Sequence, residues 1–451
     1  MPLHQVIRSA FQTLRSPKKA IRSVLGVSLY RNSLYLLIQS VVNSATGFVF
    51  WAVAARLFVA EEVGIGYALT STIISLAFFG TLGLGMGIIR FLPEVASQKR
   101  LLNSALTVTL LASVVISLGF VGGVNIWSPR LLFLHTELVK AAGFVFFVAA
   151  SALGTIAIQT FIGFRKGEFA LFYTLISIIR LVLLFAFATR LGAYGIFAAW
   201  GLAEVISVTF SLIFFLPRLS KGYFPFFDFD AGVLKGMVSF TSANFLSEVL
   251  RGLPSWILPL LILNMLAPAE NAYFGLTWTI AGAVLLVPVM TSLTFLAEGS
   301  QSGAPLGVHI KNSLKLNMAI LVPVVLVLCI FGDKILLIMG KEYSSAGAKL
   351  LWLLAPAAIP AALNMNFVSM ARVEKRLGLI ILVMGAIAVI TLGLSWLLIP
   401  RMGLMGVGVG WLAGQASVGA VSGVALLRRM KSGARVSPPG SAGHVLDRKP
   451  E

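Results

Sequence analysis

Four charged side chains lie within segments that are otherwise apolar, and their position makes them the first candidates for chemistry. Arg180 and Glu204 each interrupt an apolar run. Glu248 and Arg251 share another one. A charge at the centre of a bilayer costs at least about 2.5 kcal/mol, so such residues normally face a polar cavity or a partner. The four side chains therefore predict a polar pathway through a membrane.

Mutual neutralisation is the alternative role for these charges. Glu248 and Arg251 are three positions apart, a spacing that brings two side chains together on one face of a helix. Arg180 and Glu204 can pair between adjacent helices. Both interpretations stay open at the level of the sequence, although ionisable pairs inside membranes usually mark a transport pathway.

Two further arginines, Arg56 and Arg90, lie at the predicted ends of apolar segments. In one interpretation they form the rim of a cationic pathway. In the other they are anchors whose long side chains reach the membrane surface. The anchor interpretation is the simpler one, because it applies to any arginine at the end of a span.

The sequence contains none of the motifs that indicate catalysis or a bound metal. It has no G-x-x-x-x-G-K-[ST] phosphate loop, no H-E-x-x-H helix and no G-x-S-x-G turn. The acidic pair Glu61-Glu62 lies in a predicted loop that is too short to form a catalytic domain. We therefore expect a protein that is not an enzyme and has no catalytic residue, no metal site and no cofactor.

The composition shows which elements must position these charges. Hydrophobic residues make up 58% of the 451 residues, charged residues make up 11%, and the mean hydropathy is +0.95. Soluble domains carry about 25% charged residues. Roughly 20 apolar residues form one membrane-spanning helix, so this length accommodates about twelve spans and no large soluble domain. The predicted class is all-α and polytopic.

The apolar runs divide the chain into two sets of six spans separated by a polar linker. The predicted spans are 33–58, 65–89, 101–124, 138–163, 169–189, 191–215, 237–266, 270–297, 313–332, 345–371, 377–399 and 403–426. The predicted regions are a basic amphipathic or disordered segment 1–31, a six-helix bundle 32–216, a cytoplasmic linker 217–236, a second bundle 237–427 and a disordered tail 428–451.

The distribution of basic residues predicts the orientation. Of the 35 Lys and Arg residues, 25 fall on the side that holds the N-terminus, 8 fall on the opposite side, and Arg180 and Arg251 lie within spans. Cytoplasmic loops carry the excess of basic residues in membrane proteins. Both termini are therefore expected in the cytoplasm, with the chain in the plasma membrane. Topology explains the net charge of +19 without a nucleic-acid partner.

Three landmarks recur in the same order at similar offsets, which indicates an internal duplication. They are Phe91–Glu94 with Phe295–Glu298, Arg165 with Arg372, and Gly192–Trp200 with Gly403–Trp411. An even number of spans separates the copies, so both halves cross the membrane in the same sense. We expect two six-helix bundles related by a pseudo-twofold axis along the membrane normal, with the transport path between them.

Several segments resemble polysaccharide-biosynthesis exporters, the Wzx-type flippases of the multidrug/oligosaccharidyl-lipid/polysaccharide exporter superfamily. These segments are Asn32–Leu37, Ala54–Phe58, Glu62–Gly64, Gly83–Gly85, Arg90–Pro93, Pro254–Leu260, Ala272–Phe274 and Phe295–Ser300. The resemblance covers most of residues 30–430. It implies two bundles in a V around a cavity, and export of an isoprenoid-diphosphate-linked oligosaccharide from the inner to the outer leaflet.

The resemblance also implies that cavity arginines hold the diphosphate. Arg180 and Arg251 are the arginines within spans of this sequence, so they match this role in residue type. Guanidinium groups stay charged and bind phosphate oxygens bidentately, while the isoprenoid tail remains in lipid. Glu204 or Glu248 would then titrate or bind a coupling cation, a proton or sodium, to reset the cycle. The alternative is an ion-coupled multidrug antiporter of the same fold, for which carboxylates alone would be expected. Short external loops disfavour a membrane glycosyltransferase.

Overall fold

A computed structural model describes residues 28–431 except 96, 189–190, 221 and 302–305. Most of the predicted segments 1–31 and 428–451 lies outside the described residues. The described part is all-helical, with no strand in it. Its helices of eight or more residues are α1 Ser28–Leu57, α2 Ala60–Gly80, α3 Leu84–Phe91, α4 Gln98–Gly122, α5 Leu138–Gly163, α6 Gly167–Ser177, α7 Arg180–Ala188, α8 Gly192–Phe210, α9 Ala231–Met265, α10 Pro268–Val284, α11 Leu286–Gln301, α12 Leu306–Leu337, α13 Lys341–Leu354, α14 Ala358–Val373, α15 Leu377–Met402 and α16 Leu404–Lys431.

The helices confirm the predicted polytopic membrane protein. Eleven helical segments of the described chain are long and apolar enough to cross a membrane. A twelfth forms when α13 and α14, which meet at a bend of 41°, count as one span. We call α1–α8 the N-half and α9–α16 the C-half.

Four of the predicted spans are interrupted rather than straight. α2 and α3 are separated by a turn at residues 81–83, where Gly83 has a φ of 76° that favours glycine. α6 and α7 are separated by a turn at residues 178–179. Similar breaks separate α10 from α11 and α13 from α14. Because α7 begins at Arg180, the break in this span places that charge at the start of a helix.

Some helices extend beyond the bounds that hydropathy predicts. α9 begins within the predicted linker 217–236, α12 exceeds the predicted span 313–332 at both ends, and α16 continues into the predicted tail 428–451. The prediction ended each of these three spans near the edge of its apolar run. A helix does not end where the hydrocarbon ends, because these side chains can extend to the membrane surface while the backbone stays helical.

The linker between the halves packs along the first turns of α4. The Tyr223 hydroxyl donates to Asn103 Oδ1 at 2.7 Å, and the Asp230 backbone N–H donates to Ser104 Oγ at 3.0 Å. Burial raises the pKa of Tyr223 above its usual range, so this hydroxyl remains a donor at neutral pH. The linker is therefore attached to the N-half.

The two halves meet at the predicted external end through α2 and α10. Gly64 lets the two backbones approach closely, since a Cβ there would collide with the Pro268 carbonyl. The Asn271 side chain donates to the Gly64 carbonyl at 2.8 Å. Along another seam, Phe78 of α2 stacks on Phe245 of α9 with 5.4 Å between ring centroids.

Backbone geometry repeats between the halves, as the duplication predicts. Gly192 and Gly403 have φ values of 51° and 57°, and each precedes or begins the last span of its half. Gly195 approaches the backbone of Phe187, and Gly406 approaches that of Leu398 in the same way. Each pair is 211 positions apart.

The structure corrects one of the landmark pairs. Arg165 and Lys375 have left-handed φ values of 55° and 58°, and each lies in the turn between the fourth and fifth spans of its half. Arg165 is therefore equivalent in conformation to Lys375, not to Arg372. The prediction matched residue type, whereas the turn needs a backbone conformation that a lysine supplies as well as an arginine.

Candidate functional site

A polar cavity of about 450 Å³ lies in the middle of the N-half. We call it the N-half cavity. It is bordered by α1, α2, α5, α6, α7 and α8, and by α10 from the C-half. Neutral polar side chains cover much of its wall, among them Gln39, Asn43, Thr70, Ser71, Ser151 and Thr155. Its two charged residues are Arg180 and Glu204, which the sequence predicted.

Arg180 is held by aromatic rings rather than by a carboxylate. Its guanidinium carbon lies 4.3 Å from the ring centre of Trp200 and 5.8 Å from that of Phe50. The residue is only 2% exposed, and its Nε and Nη2 atoms have no hydrogen-bond partner among the described residues. Cation–π contacts reach about 2 kcal/mol when desolvated, but they leave the N–H donors unused. These two nitrogen atoms are buried without an acceptor.

Glu204 faces the same cavity and is bound by a tyrosine. The Tyr173 hydroxyl donates to Glu204 Oε2 at 2.7 Å. The ion pair between Arg180 and Glu204, which the sequence left open, is absent from the described contacts. The two groups therefore share one cavity and interact electrostatically, without a direct contact among the described ones.

Arg251 and Glu248 form the ion pair that their spacing predicts. Arg251 Nη2 lies 2.6 Å from Glu248 Oε2, and Arg372 lies 3.4 Å from the other oxygen of the same carboxylate. Arg251 borders a second cavity, of about 240 Å³, that we call the C-half cavity. The structure thus places Arg180 and Arg251 at different cavities, although Gly282 borders both.

Neither Arg56 nor Arg90 borders these cavities. Arg56 donates to the carbonyl oxygens of Ile338 at 2.7 Å and Leu337 at 3.1 Å, so it binds the end of α12 in the other half. Arg90 forms an exposed ion pair with Glu94 at 2.7 Å. In the structure Arg56 is a connection between the halves, and Arg90 is a surface residue of the N-half.

Three residues of the site were missed at the level of the sequence. Trp200 entered only as a landmark of the duplication, and Tyr173 and Phe50 were not singled out. An aromatic residue in an apolar segment carries no distinguishing signal, because most such side chains pack in the core or face lipid. The contacts with Arg180 and Glu204 show their importance only after folding.

The two cavities are equivalent by the duplication but differ in chemistry. In the last span of each half, where the offset is 211 positions, Trp200 corresponds to Trp411 and Glu204 to Gln415. Arg180 corresponds to Ile390 or Thr391, because the offset changes from 210 to 211 positions within this span, and neither residue is charged. The two charged groups of the N-half cavity are thus replaced by neutral ones.

The described residues include no group of three or more His, Cys, Asp or Glu side chains that could hold a metal ion. The polar atoms of the N-half cavity belong mainly to hydroxyl and amide groups, with a single carboxylate. This set is suited to hydrogen bonding with a polar molecule.

The arrangement of the helices is shared with known transporters. No family model matches the chain, and no curated protein matches its sequence. Among solved structures, an inward-facing multidrug resistance MATE family transporter matches with a TM-score of 0.65 and 16% identity, over 88% of this chain and 95% of the other. The lipid II flippase MurJ also matches with 0.65, at 12% identity, over 88% and 87%.

The fold is similar to that of MOP superfamily transporters. A MOP superfamily transporter from Pyrococcus furiosus, described as having a binding pocket of reverse polarity, matches with a TM-score of 0.56 and 13% identity, over 91% of this chain and 96% of the other. These neighbours of the MOP fold are transporters and a flippase, not enzymes. At these identities the likeness concerns the fold, and it does not single out the Wzx-type family.

Proposed function

We propose that the protein is a membrane flippase whose N-half cavity holds the anionic group of a lipid-linked substrate. The observation that supports this most directly is the buried Arg180 guanidinium, which borders a polar cavity with two unpaired nitrogen atoms. A buried cation without an acceptor is unfavourable. An anionic ligand would supply the missing acceptors.

The proposed substrate is an isoprenoid-diphosphate-linked oligosaccharide. An isolated ionised group in hydrocarbon meets a penalty on the order of tens of kcal/mol, so its passage requires a counter-charge. Arg180 provides that charge in a geometry that suits phosphate oxygens. The neutral donors and acceptors around it, such as Gln39 and Asn43, are the groups that sugar hydroxyls need.

The proposed direction is from the inner to the outer leaflet of the plasma membrane, by alternating access between the two halves. It rests on the excess of basic residues on one side of the membrane. The contacts between α2 and α10, and between Arg56 and α12, close the predicted external end. A substrate would therefore enter from the predicted cytoplasmic side.

Glu204 is the proposed coupling group. Its carboxyl group shares the cavity with Arg180 and is bound by Tyr173. Binding of a proton or a sodium ion at Glu204 would remove a negative charge from the cavity before an anionic substrate enters. Glu248 is a weaker candidate, because it already has two arginine partners.

A multidrug antiporter is the second function that an observation favours. Glu204 supplies the carboxylate that a cationic drug would need, and one structural neighbour is a multidrug resistance transporter. The two functions predict opposite ligand charges. Binding of an anion should depend on Arg180, whereas binding of a cation should depend on Glu204.

A binding experiment separates these functions. The purified protein would be titrated with geranyl diphosphate, with uncharged geraniol and with the cation ethidium, and its melting temperature recorded. We expect stabilisation by geranyl diphosphate alone, its loss in Arg180→Ala, and its retention in the control Arg251→Ala. Stabilisation by ethidium that is lost in Glu204→Gln, without any effect of the diphosphate, would contradict the flippase proposal.

A further inference from the structure

A groove on the surface of the C-half lies apart from both cavities. It has a volume of about 760 Å³ and is bordered by α14, α15 and α16 at the predicted cytoplasmic end. We call it the C-half groove. It shares no bordering residue with the N-half cavity or the C-half cavity. The proposed transport function makes no use of it.

One end of the C-half groove is basic. Arg376, Arg428 and Arg429 border it together with a single acidic residue, Glu374. Arg429 Nη2 lies 2.7 Å from Glu374 Oε1, and Arg376 Nε lies 3.5 Å from Oε2 of the same carboxylate. One carboxylate thus contacts two of the three guanidinium groups, and the residues that border this end carry a net positive charge.

The rest of the C-half groove is apolar and open to the membrane. Val421 and Val424 are 71% and 50% exposed and lie on α16 below its terminal arginines. Leu379 and Phe367 contribute from the neighbouring helices. A basic end joined to an apolar wall matches a molecule with an anionic headgroup and a hydrocarbon chain. Basic pockets between spans at this level bind anionic lipid headgroups.

The corresponding place in the N-half has different side chains. The left-handed turn makes Arg165 equivalent to Lys375, and in the last span, where the offset is 211 positions, Arg218 corresponds to Arg429, so part of the charge is repeated. The apolar wall is not repeated, because Phe210 and Phe214 stand at the positions of Val421 and Ala425, with their rings 5.1 Å apart.

Further aromatic side chains pack together beside them in the N-half. Phe169 lies 5.3 Å from Phe215 and 5.8 Å from Phe161, measured between ring centroids. In the C-half, Ala371 and Leu379 correspond to Phe161 and Phe169 at the offset of 210 positions set by the turn, and Leu426 corresponds to Phe215 at 211. The smaller apolar residues and the additional Arg428, which replaces Pro217, distinguish the C-half groove from its counterpart.

We propose that the C-half groove binds an anionic phospholipid, with the phosphate at Arg376 and Arg428 and an acyl chain along Val421, Val424 and Leu379. Arginine suits this role because its planar guanidinium binds two phosphate oxygens at once. The lipid would fasten α14, α15 and α16 together at the membrane surface.

The test compares two double variants that each remove two positive charges, one pair from the groove and one pair from the predicted cytoplasmic end of the N-half. Arg376→Gln with Arg428→Gln removes the proposed headgroup site, and Arg165→Gln with Arg218→Gln is the matched control in the N-half. The purified full-length protein in detergent would be titrated with phosphatidylglycerol, phosphatidylcholine or inorganic phosphate. Melting temperature and lipid retention by native mass spectrometry would be measured.

We expect phosphatidylglycerol to stabilise the parent and the N-half control, with affinity for the Arg376/Arg428 variant at least tenfold lower. Ala425→Phe copies the N-half residue into the groove without changing charge, and it should also abolish stabilisation. This second variant keeps the test decisive if the double variant does not fold. Equal stabilisation by phosphatidylcholine, equal stabilisation by inorganic phosphate, or no effect of either groove variant would overturn the proposal.

Discussion

At the scale of single residues, the central feature is a cation held by aromatic rings. Trp200 and Phe50 compensate the charge of Arg180 without using its N–H donors. An ion pair with Glu204 would have used them, but that carboxyl group is bound by Tyr173 instead. The site is therefore prepared for an acceptor that the chain itself does not provide.

Replacement of Trp200 tests this arrangement. Trp200→Leu removes the ring on which the guanidinium is stacked, and we expect the affinity for geranyl diphosphate to fall at least tenfold. Trp411→Leu is the matched control, because Trp411 is equivalent by the duplication but packs on Trp278 at 4.8 Å and on no cation. Both variants should lose some thermal stability, as removal of a large side chain from a core does. Equal affinities in the two variants would contradict the proposed role.

The sequence predicted the charged residues of the site better than their partners. Arg180 and Glu204 were identifiable because a charge in an apolar segment requires compensation. Whether that compensation is ionic or aromatic depends on the orientation of neighbouring helices, which hydropathy does not encode. Arg251 illustrates the same limit. The i,i+3 spacing predicted its partner Glu248, but not that the pair lies at a different cavity from Arg180.

At the scale of elements, the close packing of the two halves at α2 and α10 depends on Gly64. α2 and α10 approach each other at Gly64, where a Cβ would collide with the carbonyl of Pro268. The same contact carries the hydrogen bond from Asn271 to the Gly64 carbonyl. A side chain at this position would separate the helices and remove that bond.

Gly64→Ala should therefore lower stability by about 1–3 kcal/mol, the usual cost of overpacking. Gly119→Ala is the control, since a Cβ at Gly119 in α4 would have no neighbour within 4 Å, and alanine favours a helix. Melting temperatures of the two variants in the same detergent give the comparison. An unchanged melting temperature in Gly64→Ala would show that the helices are not in close contact.

Arg56 is a second connection between the halves, and its loss should favour opening of the predicted external end. Thr279 borders the N-half cavity, and Thr279→Cys would introduce a thiol there. An impermeant maleimide added outside intact cells would label this thiol, and we expect Arg56→Met to increase the labelling rate. The background would be Cys329→Ser, since Cys329 is the single cysteine of the sequence.

Arg90→Met is the control for this experiment, because the described contacts of Arg90 are with Glu94 and Phe91 of its own half. It should leave the labelling rate unchanged. Identical rates in Arg56→Met and the parent would mean that the hydrogen bonds to α12 do not restrain that end.

The number of spans was predictable at this scale, and their interruptions were not. A run of about 20 apolar residues specifies a span by its length. The turn at residues 178–179 lies in such a run, and nothing in its isoleucines indicates a break. The left-handed Lys375 was missed for a related reason, because its conformation follows from the helix end and not from the side chain.

At the scale of the whole molecule, the two halves each contain a cavity, and the cavities differ in volume and in chemistry. Glu204 of the N-half cavity corresponds to Gln415, and the positions equivalent to Arg180 carry no charge. The surfaces at the predicted cytoplasmic end also differ. There the C-half has the basic groove, whereas aromatic rings pack together in the N-half. Each half thus carries a polar site that its counterpart lacks.

The sequence predicted the duplication from landmarks, and the structure supplies the helix ends and turns that set the offset for each span. Gly192 and Gly403 were correctly matched because a left-handed turn restricts residue type. Apolar spans between such turns tolerate many sequences, so their alignment required coordinates. The asymmetry between the cavities could not be predicted until the equivalent positions were known.

The central claim is that an anionic headgroup crosses the membrane in contact with Arg180. The most direct test measures flipping of a fluorescent isoprenoid-diphosphate lipid in vesicles that contain the purified protein. We predict that Arg180→Ala lowers the rate at least tenfold and that Arg180→Lys restores part of it. Arg251→Ala should stay near the parent rate, because Glu248 keeps Arg372 as a partner. Flipping by Arg180→Ala at the parent rate would contradict the account.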